Sequence, residues 1–303
     1  MQVRQFFRFV PFFSGSQPGR WLVPALLACY LIWGSTYYAI QVALPSFPPF
    51  FQMGTRFLAA SAILMVWGIC HHRAWPTWRQ WRDAALAGVL MIGGGMGLLA
   101  CAQQFIHSSL AAAMTMLEPL LICVLSVCLG WRASGRELLG IGIGVAGILL
   151  LCSQGSFQSQ PMGLVYMLGS VVCWSVGSVM IARYLKLAEG ALGLAAQMLC
   201  GAVVLMLMSQ FRGEVAQVPT WSALAAWSYL VLAGSLGAYC AYMYLIRYAT
   251  PAVYTSYNYV TPVIALLIGV MMAGEQLQRV EIVAMGVCLC GIVLLLSPKR
   301  QKK

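Results

Sequence analysis

The sequence contains little charge. Only 7 of its 303 residues are acidic, and charged residues of all kinds make up 8% of the chain. Soluble domains contain about 25% charged residues, so this composition excludes a soluble globular protein. Hydrophobic residues instead account for 61% of the chain, and the mean hydropathy is +0.83. These values are typical of a membrane protein that crosses the bilayer many times.

Groups that commonly bind metals or carry out catalysis are also few. The 3 histidines, His71, His72 and His107, lie in or beside predicted loops, and the 11 cysteines are spread singly along the chain. A metal site needs clustered ligands, so we expect neither a metal nor another cofactor. The glycine-rich stretch at 93–97 does not follow a strand, which argues against a phosphate-binding loop. We therefore expect neither an enzyme nor an ATP-driven pump.

Long apolar segments dominate the chain instead. Segments of about 20 residues, the length that crosses a hydrocarbon core, recur from Trp21 to the end. They predict ten transmembrane helices, at 21–44, 49–70, 83–103, 109–130, 138–153, 161–185, 190–211, 221–246, 250–273 and 280–298. Residues 1–20 lack the apolar core and cleavage site of a signal peptide. We interpret them as a cytoplasmic leader, and 299–303 as a basic cytoplasmic tail.

The net charge of +11 is distributed unevenly along the chain. If the N-terminus is cytoplasmic, fifteen of the 18 basic residues fall on the cytoplasmic side, whereas Arg212 and Arg279 fall outside and Arg56 falls within a span. Cytoplasmic loops of membrane proteins are enriched in positive charge, so both termini are predicted to be cytoplasmic. The basic charge thus orients the chain in the lipid bilayer and does not indicate a nucleic-acid partner.

The two halves of the chain resemble each other weakly. The residues that align at offsets of 141 and 143 are, in order, Trp33 with Trp174, Arg56 with Gln197, and Glu118-Pro119 with Thr261-Pro262. Because each half holds five predicted spans, an odd number, the second half would enter the membrane from the opposite side. We expect an all-α integral membrane fold of two inverted five-helix repeats, 21–153 and 154–298, around a central cavity.

Several motifs of this sequence are similar to those of a known family. They are WGSTYYAI (33–40), RFLAAS (56–61), AYMYLIRYATPAVYTSYNYVTPVIALLIG (241–269) and GEQL (274–277). Together they resemble the EamA family of the drug/metabolite transporter superfamily. The resemblance implies a bacterial inner-membrane protein with a cavity lined by the first four helices of each half. It also implies export of small metabolites, commonly amino acids or related compounds, and sometimes of toxic organic cations.

Two charged residues lie deep within predicted spans. A charge at such depth costs about 2.5–3.5 kcal/mol, so Arg56 and Glu118 should face protein or water. Arg56 is either a packing anchor or a group that binds a substrate carboxylate or orders a gate. Three hypotheses apply to Glu118: a proton-coupling group, a binder of cationic or amine groups, or half of an ion pair with Arg56.

Polar and aromatic residues at helical spacing mark further candidates for a substrate cavity. They recur every three or four residues on single helical faces, and they are Tyr30, Trp33, Tyr37, Trp174, Ser178, Tyr254, Tyr257, Asn258 and Thr261. The ring of an aromatic residue this far from a helix end can hold a flat or cationic ligand. Pro119 and Pro262 each remove a backbone donor and are predicted helix hinges.

Taken together, these features predict a secondary transporter. It would export small amphipathic metabolites, such as amino acids or amines, by alternating access of one central site to the two faces. A lipid-acting intramembrane enzyme would need a convergent catalytic group, and His71 and His72 have no evident acid or nucleophile beside them. A channel would need rings of charge or a carbonyl filter, and the sequence contains no such motif.

Overall fold

A computed structural model of the chain describes most of the predicted membrane region. All of the regular secondary structure in the described residues is helical. The predicted leader, the basic tail and most of the GEQL motif lie outside the described residues. The described residues are 21–71, 73–130, 135–152, 161–249, 251–274 and 279–296.

The helices follow one another with short connections. They are α1 (Leu22–Ala43), α2 (Pro49–Cys70), α3 (Trp78–Ala102), α4 (Ser108–Cys128), α5 (Gly135–Cys152), α6 (Pro161–Arg183), α7 (Ala191–Phe211), α8 (Trp221–Tyr248), α9 (Tyr257–Ala273, preceded by the single turn Pro251–Tyr254) and α10 (Arg279–Leu296). All except α5, α9 and α10, seven in the described chain, are long and apolar enough to cross a membrane. The chain is thus a multi-pass membrane protein, and the count of ten crossings stays a prediction.

The start of α3 differs from the prediction. The helix begins at Trp78 and not at 83, because Thr77 and Gln80 form a capping box. The backbone N–H of Thr77 donates to Gln80 Oε1 at 2.8 Å, and that of Gln80 donates to Thr77 Oγ1 at 3.4 Å. These bonds satisfy amides that a helix start leaves free. The polar first turn therefore extends the helix beyond its apolar segment.

The third helix of each half contains a long π-helical stretch. The stretch covers Gly88–Met96 in α3 and Leu230–Tyr239 in α8. Its wider turns interrupt the ordinary helical hydrogen bonding, a feature that often accompanies functional sites. The glycine-rich segment of α3 allows close packing, as the sequence indicates: a Cβ on Gly94 would lie 2.6 Å from Cys173 Sγ of α6. The two halves thus share a local irregularity at corresponding places.

The fourth helix of each half is interrupted. In the first half this helix is α4, and in the second half it consists of the turn Pro251–Tyr254 and α9. In α4 the break lies at Thr115–Met116, where Thr115 Oγ1 donates to the carbonyl of Ala112 at 2.7 Å. Before α9 it lies at Thr255–Ser256, where Ser256 Oγ donates to the carbonyl of Val253 at 2.7 Å. In each case a hydroxyl binds a carbonyl that the interrupted helix leaves without its usual donor.

The fifth helix of each half, α5 and α10, packs against its counterpart. Small residues set this contact: a Cβ on Gly291 would lie 2.6 Å from the backbone nitrogen of Gly144 and 2.8 Å from the carbonyl oxygen of Gly140. Such close backbone approach is a common means of helix association in membranes. The glycines of the segment GIGIGVAG (140–147) thus allow α5 and α10 to pack closely.

At one end of the helix bundle, the segment after α7 contacts the start of α2. We call this the Ser46 end. The backbone N–H groups of Phe50 and Phe51 donate to the two carboxylate oxygens of Glu214, at 3.3 and 2.9 Å. The N–H of Gln217 donates to the carbonyl of Ser46 at 3.0 Å. Glu214, from the second half, therefore caps a helix of the first half, where a negative charge is favourable.

At the opposite end, the segment after α6 contacts the start of α3. We call this the Lys186 end. The backbone N–H of Lys186 donates to Asp83 Oδ2 at 2.9 Å, while Arg82 contacts Asp83 Oδ1 at 2.8 Å. Asp83 is only 6% exposed. A carboxylate of the first half thus binds the second half at this end, and a carboxylate of the second half binds the first half at the Ser46 end.

Candidate functional site

A small cavity lies where helices of the two halves meet. Its volume is about 40 Å³, room for about three water molecules. Side chains or backbone from α1, α2, α3, α4, α6 and α9 surround it. The lining residues are Trp33, Thr36, Tyr37, Ile40, Arg56, Gly95, Met96, Leu99, Thr115, Glu118, Ser170, Trp174 and Tyr257.

Glu118 supplies the carboxylate of this cavity. It is 5% exposed and lies directly after the break in α4. The hydroxyl of Tyr257 donates to Glu118 Oε2 at 2.5 Å, and Asn258 Nδ2 donates to the same oxygen at 3.2 Å. Both donors begin the main segment of α9, so the interrupted helices of the two halves meet at this point. A buried carboxyl needs such partners, because an unsatisfied polar group costs about 1–3 kcal/mol or more.

Arg56 supplies the cation of the cavity. It is 1% exposed, and its Nε donates to Ser235 Oγ at 2.7 Å. The neighbouring Gly234 leaves space for the guanidinium, since a Cβ there would lie 2.6 Å from Arg56 Nη2. Gly234 and Ser235 both belong to the π-helical stretch of α8. An arginine of the first half is thus held by the second half.

Of the three hypotheses for Glu118, the ion pair with Arg56 does not form in this structure. Ion pairs within 4.0 Å in the described part of the chain join Arg82 to Asp83 and Arg247 to Glu189. Arg56 and Glu118 line one cavity, but each finds neutral hydrogen-bond partners on helices of the second half. The two side chains therefore retain donor and acceptor capacity toward the cavity.

Aromatic rings close one side of the cavity. Trp33 contacts the rings of Trp174, Tyr257 and Tyr242 with centroid separations of 5.6, 4.8 and 5.1 Å. Tyr242 in turn contacts Tyr254 at 6.2 Å. Most of these pairs are edge-to-face, the arrangement favoured by aromatic quadrupoles. We call these five residues the aromatic cluster. As the sequence indicates, Trp33, Trp174 and Tyr257 are buried and do not lie in an interfacial belt.

The remaining predicted candidates surround the cavity without lining it. The Tyr30 hydroxyl lies 2.6 Å from Ser256 Oγ, beside the break before α9. Ser178 Oγ lies 3.0 Å from the Tyr242 hydroxyl. Asn258 Oδ1 and Thr261 Oγ1 are buried and have no hydrogen-bond partner among the described residues. Six of the eleven predicted cavity residues line it, namely Trp33, Tyr37, Arg56, Glu118, Trp174 and Tyr257.

The two predicted hinge prolines occupy different places. Pro119 is in the first turn after the α4 break, so the carbonyl of Thr115 lacks its usual donor and accepts from Glu118 N–H at 2.9 Å. Pro262 lies inside α9, beyond the break at Thr255–Ser256. Pro119 therefore accounts for the local break, whereas Pro262 does not. Hinge motion at either proline stays a prediction.

Several residues of the site were not predicted from the sequence. Ser235 and Gly234 lie in the small-residue segment AGSLGA (233–238), and Ser235 is 179 residues from Arg56 in the sequence. Tyr242 lies in the motif-rich block from 241 onwards, which is a signal that could have identified it. Thr115 precedes the Glu118-Pro119 pair by three residues. Among the described residues, no group of three His, Cys, Asp or Glu side chains could hold a metal ion.

The sequence is similar to those of known proteins. The sequence matches the EamA-like transporter family over residues 20–153 and again over residues 161–297. It is 39% identical over 275 residues to the inner membrane transporter YedA of Escherichia coli strain K12, covering 90% of each chain. It is 25% identical over 255 residues to Protein PecM of Dickeya dadantii, covering 83% of this chain and 84% of that protein.

A solved crystal structure supports the fold. It covers 90% of this chain and 95% of its own, with a TM-score of 0.66 and 19% sequence identity. The two family matches correspond to the two halves seen in the structure, one ending at residue 153 and the other beginning at residue 161. This chain, a multi-pass membrane protein built from two such repeats, therefore belongs to the EamA-like transporter family.

Proposed function

We propose that this chain is a secondary transporter that exports small amphipathic solutes, such as amino acids or amines, across a bacterial inner membrane. The observation that carries the proposal is the cavity between the halves, which holds one buried carboxylate and one buried guanidinium. Isolated charges within a bilayer are costly and mark transport pathways. Membership of the EamA-like transporter family supports the same conclusion.

In this proposal, the two charges bind complementary groups of the solute. An ammonium group would bind to Glu118, and a carboxylate, where the solute has one, would bind to Arg56. The rings of Trp33, Trp174 and Tyr257 would cover the apolar part of the solute. Amines would use only the Glu118 side of the cavity, and zwitterions would use both charges.

Alternating access would convert this site into a transport route. A cavity of about 40 Å³ is too small for an organic solute, so binding requires a wider state. Inverted repeats of five crossings each, with both termini cytoplasmic, would allow the two ends to open in turn. Opening the Ser46 end would break the Glu214 contacts with α2. Opening the Lys186 end would break the Asp83 contact with Lys186.

The driving force would be a proton gradient. Glu118 is the one carboxylate among the lining residues of the cavity. Because a carboxyl group cannot hold a proton and bind an ammonium group as an anion at once, proton and cationic solute would compete for it. Competition at a site that faces each side in turn produces exchange of one for the other.

Reconstitution into liposomes tests the proposal. Purified protein would be given outward or inward gradients of labelled amino acids and amines, with and without an imposed pH gradient. We expect saturable flux of at least one solute, accelerated when protons move in the opposite direction. The absence of flux for every solute in the panel would contradict a transporter. Conductance at the single-molecule level would favour a channel instead.

A further inference from the structure

A second and larger cavity lies at the Lys186 end, outside the central site. Its volume is about 360 Å³, within the range of pockets that bind small ligands. The end of α6, the segment at 184–190, the start of α7 and the end of α8 form its walls. The apolar lining includes Ile181, Leu185, Leu194, Met243 and Ile246. These side chains come from the second half alone.

The walls of this cavity are fixed by specific contacts. The backbone N–H of Lys186 binds Asp83 of α3 at 2.9 Å, which ties the connecting segment to the helix bundle. Gly190 has a φ of +84°, a conformation that favours glycine. A Cβ on Gly193 would collide with the carbonyl oxygen of Ala188, so only glycine permits this path of the chain. These contacts thus fix the path of the segment that forms one wall of the cavity.

The charged groups at its rim have an excess of positive charge. They are Lys186, Glu189 and Arg247. Arg247 Nη2 lies 2.5 Å from Glu189 Oε1, so these two charges compensate each other. Within the described chain, the ammonium group of Lys186 forms no ion pair within 4.0 Å, although Asp83 accepts its backbone N–H, and the residue is exposed. The rim can therefore accept one further negative charge.

The position of the cavity indicates the class of ligand. It lies at the ends of α6 and α8 and the start of α7, three helices long and apolar enough to cross a membrane. Basic pockets between helices at the membrane surface bind acidic lipid headgroups. A phosphate group could bind Lys186, while an acyl chain covered the apolar wall. A free phosphate would leave that wall uncovered.

We propose that this cavity binds an anionic phospholipid, with its phosphate at Lys186 and its acyl chain against α6, α7 and α8. The site does not depend on the proposed transport. A lipid bound there would contact the segment at 184–190, whose Lys186 N–H donates to Asp83. The lipid composition of the membrane would thus affect this contact between the two halves.

Lipid binding can be measured directly by native mass spectrometry and thermal unfolding. The intact protein would be placed in phosphatidylcholine with and without phosphatidylglycerol, beside the variants Lys186→Gln and Arg79→Gln. Arg79 is also an exposed cation at the same end, and it does not line the cavity. We expect phosphatidylglycerol to be retained on the wild type and on Arg79→Gln, and retention to fall about fivefold in Lys186→Gln.

The outcomes separate lipid from other sources of phosphate. Equal retention of phosphatidylglycerol on all three proteins, or equal loss of it from both variants, would contradict a lipid site at Lys186. A parallel arm would add glycerol 3-phosphate or inorganic phosphate to protein in phosphatidylcholine. The contrary result is that one of these soluble phosphates stabilises the wild type as strongly as phosphatidylglycerol does, and leaves Lys186→Gln unchanged. The ligand would then be a soluble phosphate, and the lipid assignment would be wrong.

Discussion

Tyr257 and Glu118 lie 139 residues apart in the sequence and are joined by a hydrogen bond of 2.5 Å within the membrane region. The tyrosine begins the main segment of α9, and the glutamate follows the break in α4. Helix interruptions free backbone groups and allow side chains to face a cavity. The bond thus joins the interrupted helices of the two halves at the charged group of the central cavity.

Removing the Tyr257 hydroxyl should lower the stability of the protein and its affinity for the solute. In Tyr257→Phe the ring remains, but Glu118 Oε2 keeps only the longer bond from Asn258. We expect the free energy of unfolding to fall by about 1–3 kcal/mol, as for a lost hydrogen bond to a buried charged group, together with weaker solute binding. Thermal unfolding and binding in detergent measure both effects.

Tyr242→Phe is the matched control for that variant. Its hydroxyl contacts Ser178 and not Glu118, although its ring belongs to the same aromatic cluster. Solute binding should be changed less in Tyr242→Phe than in Tyr257→Phe. Equal losses of binding in both variants would show that the aromatic packing, and not the bond to Glu118, determines the effect.

Gly234→Ala should displace the guanidinium of Arg56. The added Cβ would lie 2.6 Å from Arg56 Nη2, so either the arginine or α8 must move. We expect a loss of about 1–3 kcal/mol in unfolding free energy, the usual cost of overpacking. Gly237→Ala, in the same π-helical stretch, would place its Cβ 3.4 Å from the end of Ile32. It should be tolerated, and equal destabilisation by both changes would contradict the contact with Arg56.

Breaking the Glu214 contacts should favour opening at the Ser46 end. Cys101 is a native reporter there, because it is fully buried and Arg212 Nη1 lies 3.5 Å from its sulfur. In Glu214→Gln, we expect Cys101 to react severalfold faster with a small thiol reagent, measured by peptide mass spectrometry. The charge that caps α2 is lost in this variant, while the side-chain size is kept.

Asp83→Asn provides the opposite change at the Lys186 end. Glu214 and Asp83 would hold opposite ends of one two-state structure. In Asp83→Asn, the reaction of Cys101 with the thiol reagent should therefore be as slow as in the wild type or slower. Faster labelling of Cys101 in both variants would indicate general loosening. It would contradict separate roles for the two ends.

The sequence predicted the helical class, the two-part organisation and much of the cavity wall. Helical spacing placed Tyr257 and Asn258 on one face, and both donate to Glu118. Apolar length and periodicity are local properties, and they determine where a segment crosses a membrane and which of its faces is polar. These properties therefore sufficed for the individual helices.

Partners across the two halves could not be predicted in the same way. An ion pair of Arg56 with Glu118 was one hypothesis because both residues lie deep within spans, but depth does not specify which neighbouring helix each side chain meets. Ser235 became the partner of Arg56 because the wider turns of α8 and the missing side chain of Gly234 create space there. The alignment of Pro119 with Pro262 likewise did not show that Pro262 lies farther beyond its helix break than Pro119 does.

In the proposed mechanism, Glu118 couples solute to protons in the cavity. The most direct test compares wild type with Glu118→Gln in liposomes that carry a solute transported by the wild type. We expect flux of a cationic solute in the wild type to respond to an imposed pH gradient, and Glu118→Gln to lose that response along with most of the flux. Unchanged flux with an unchanged pH response in Glu118→Gln would contradict the account.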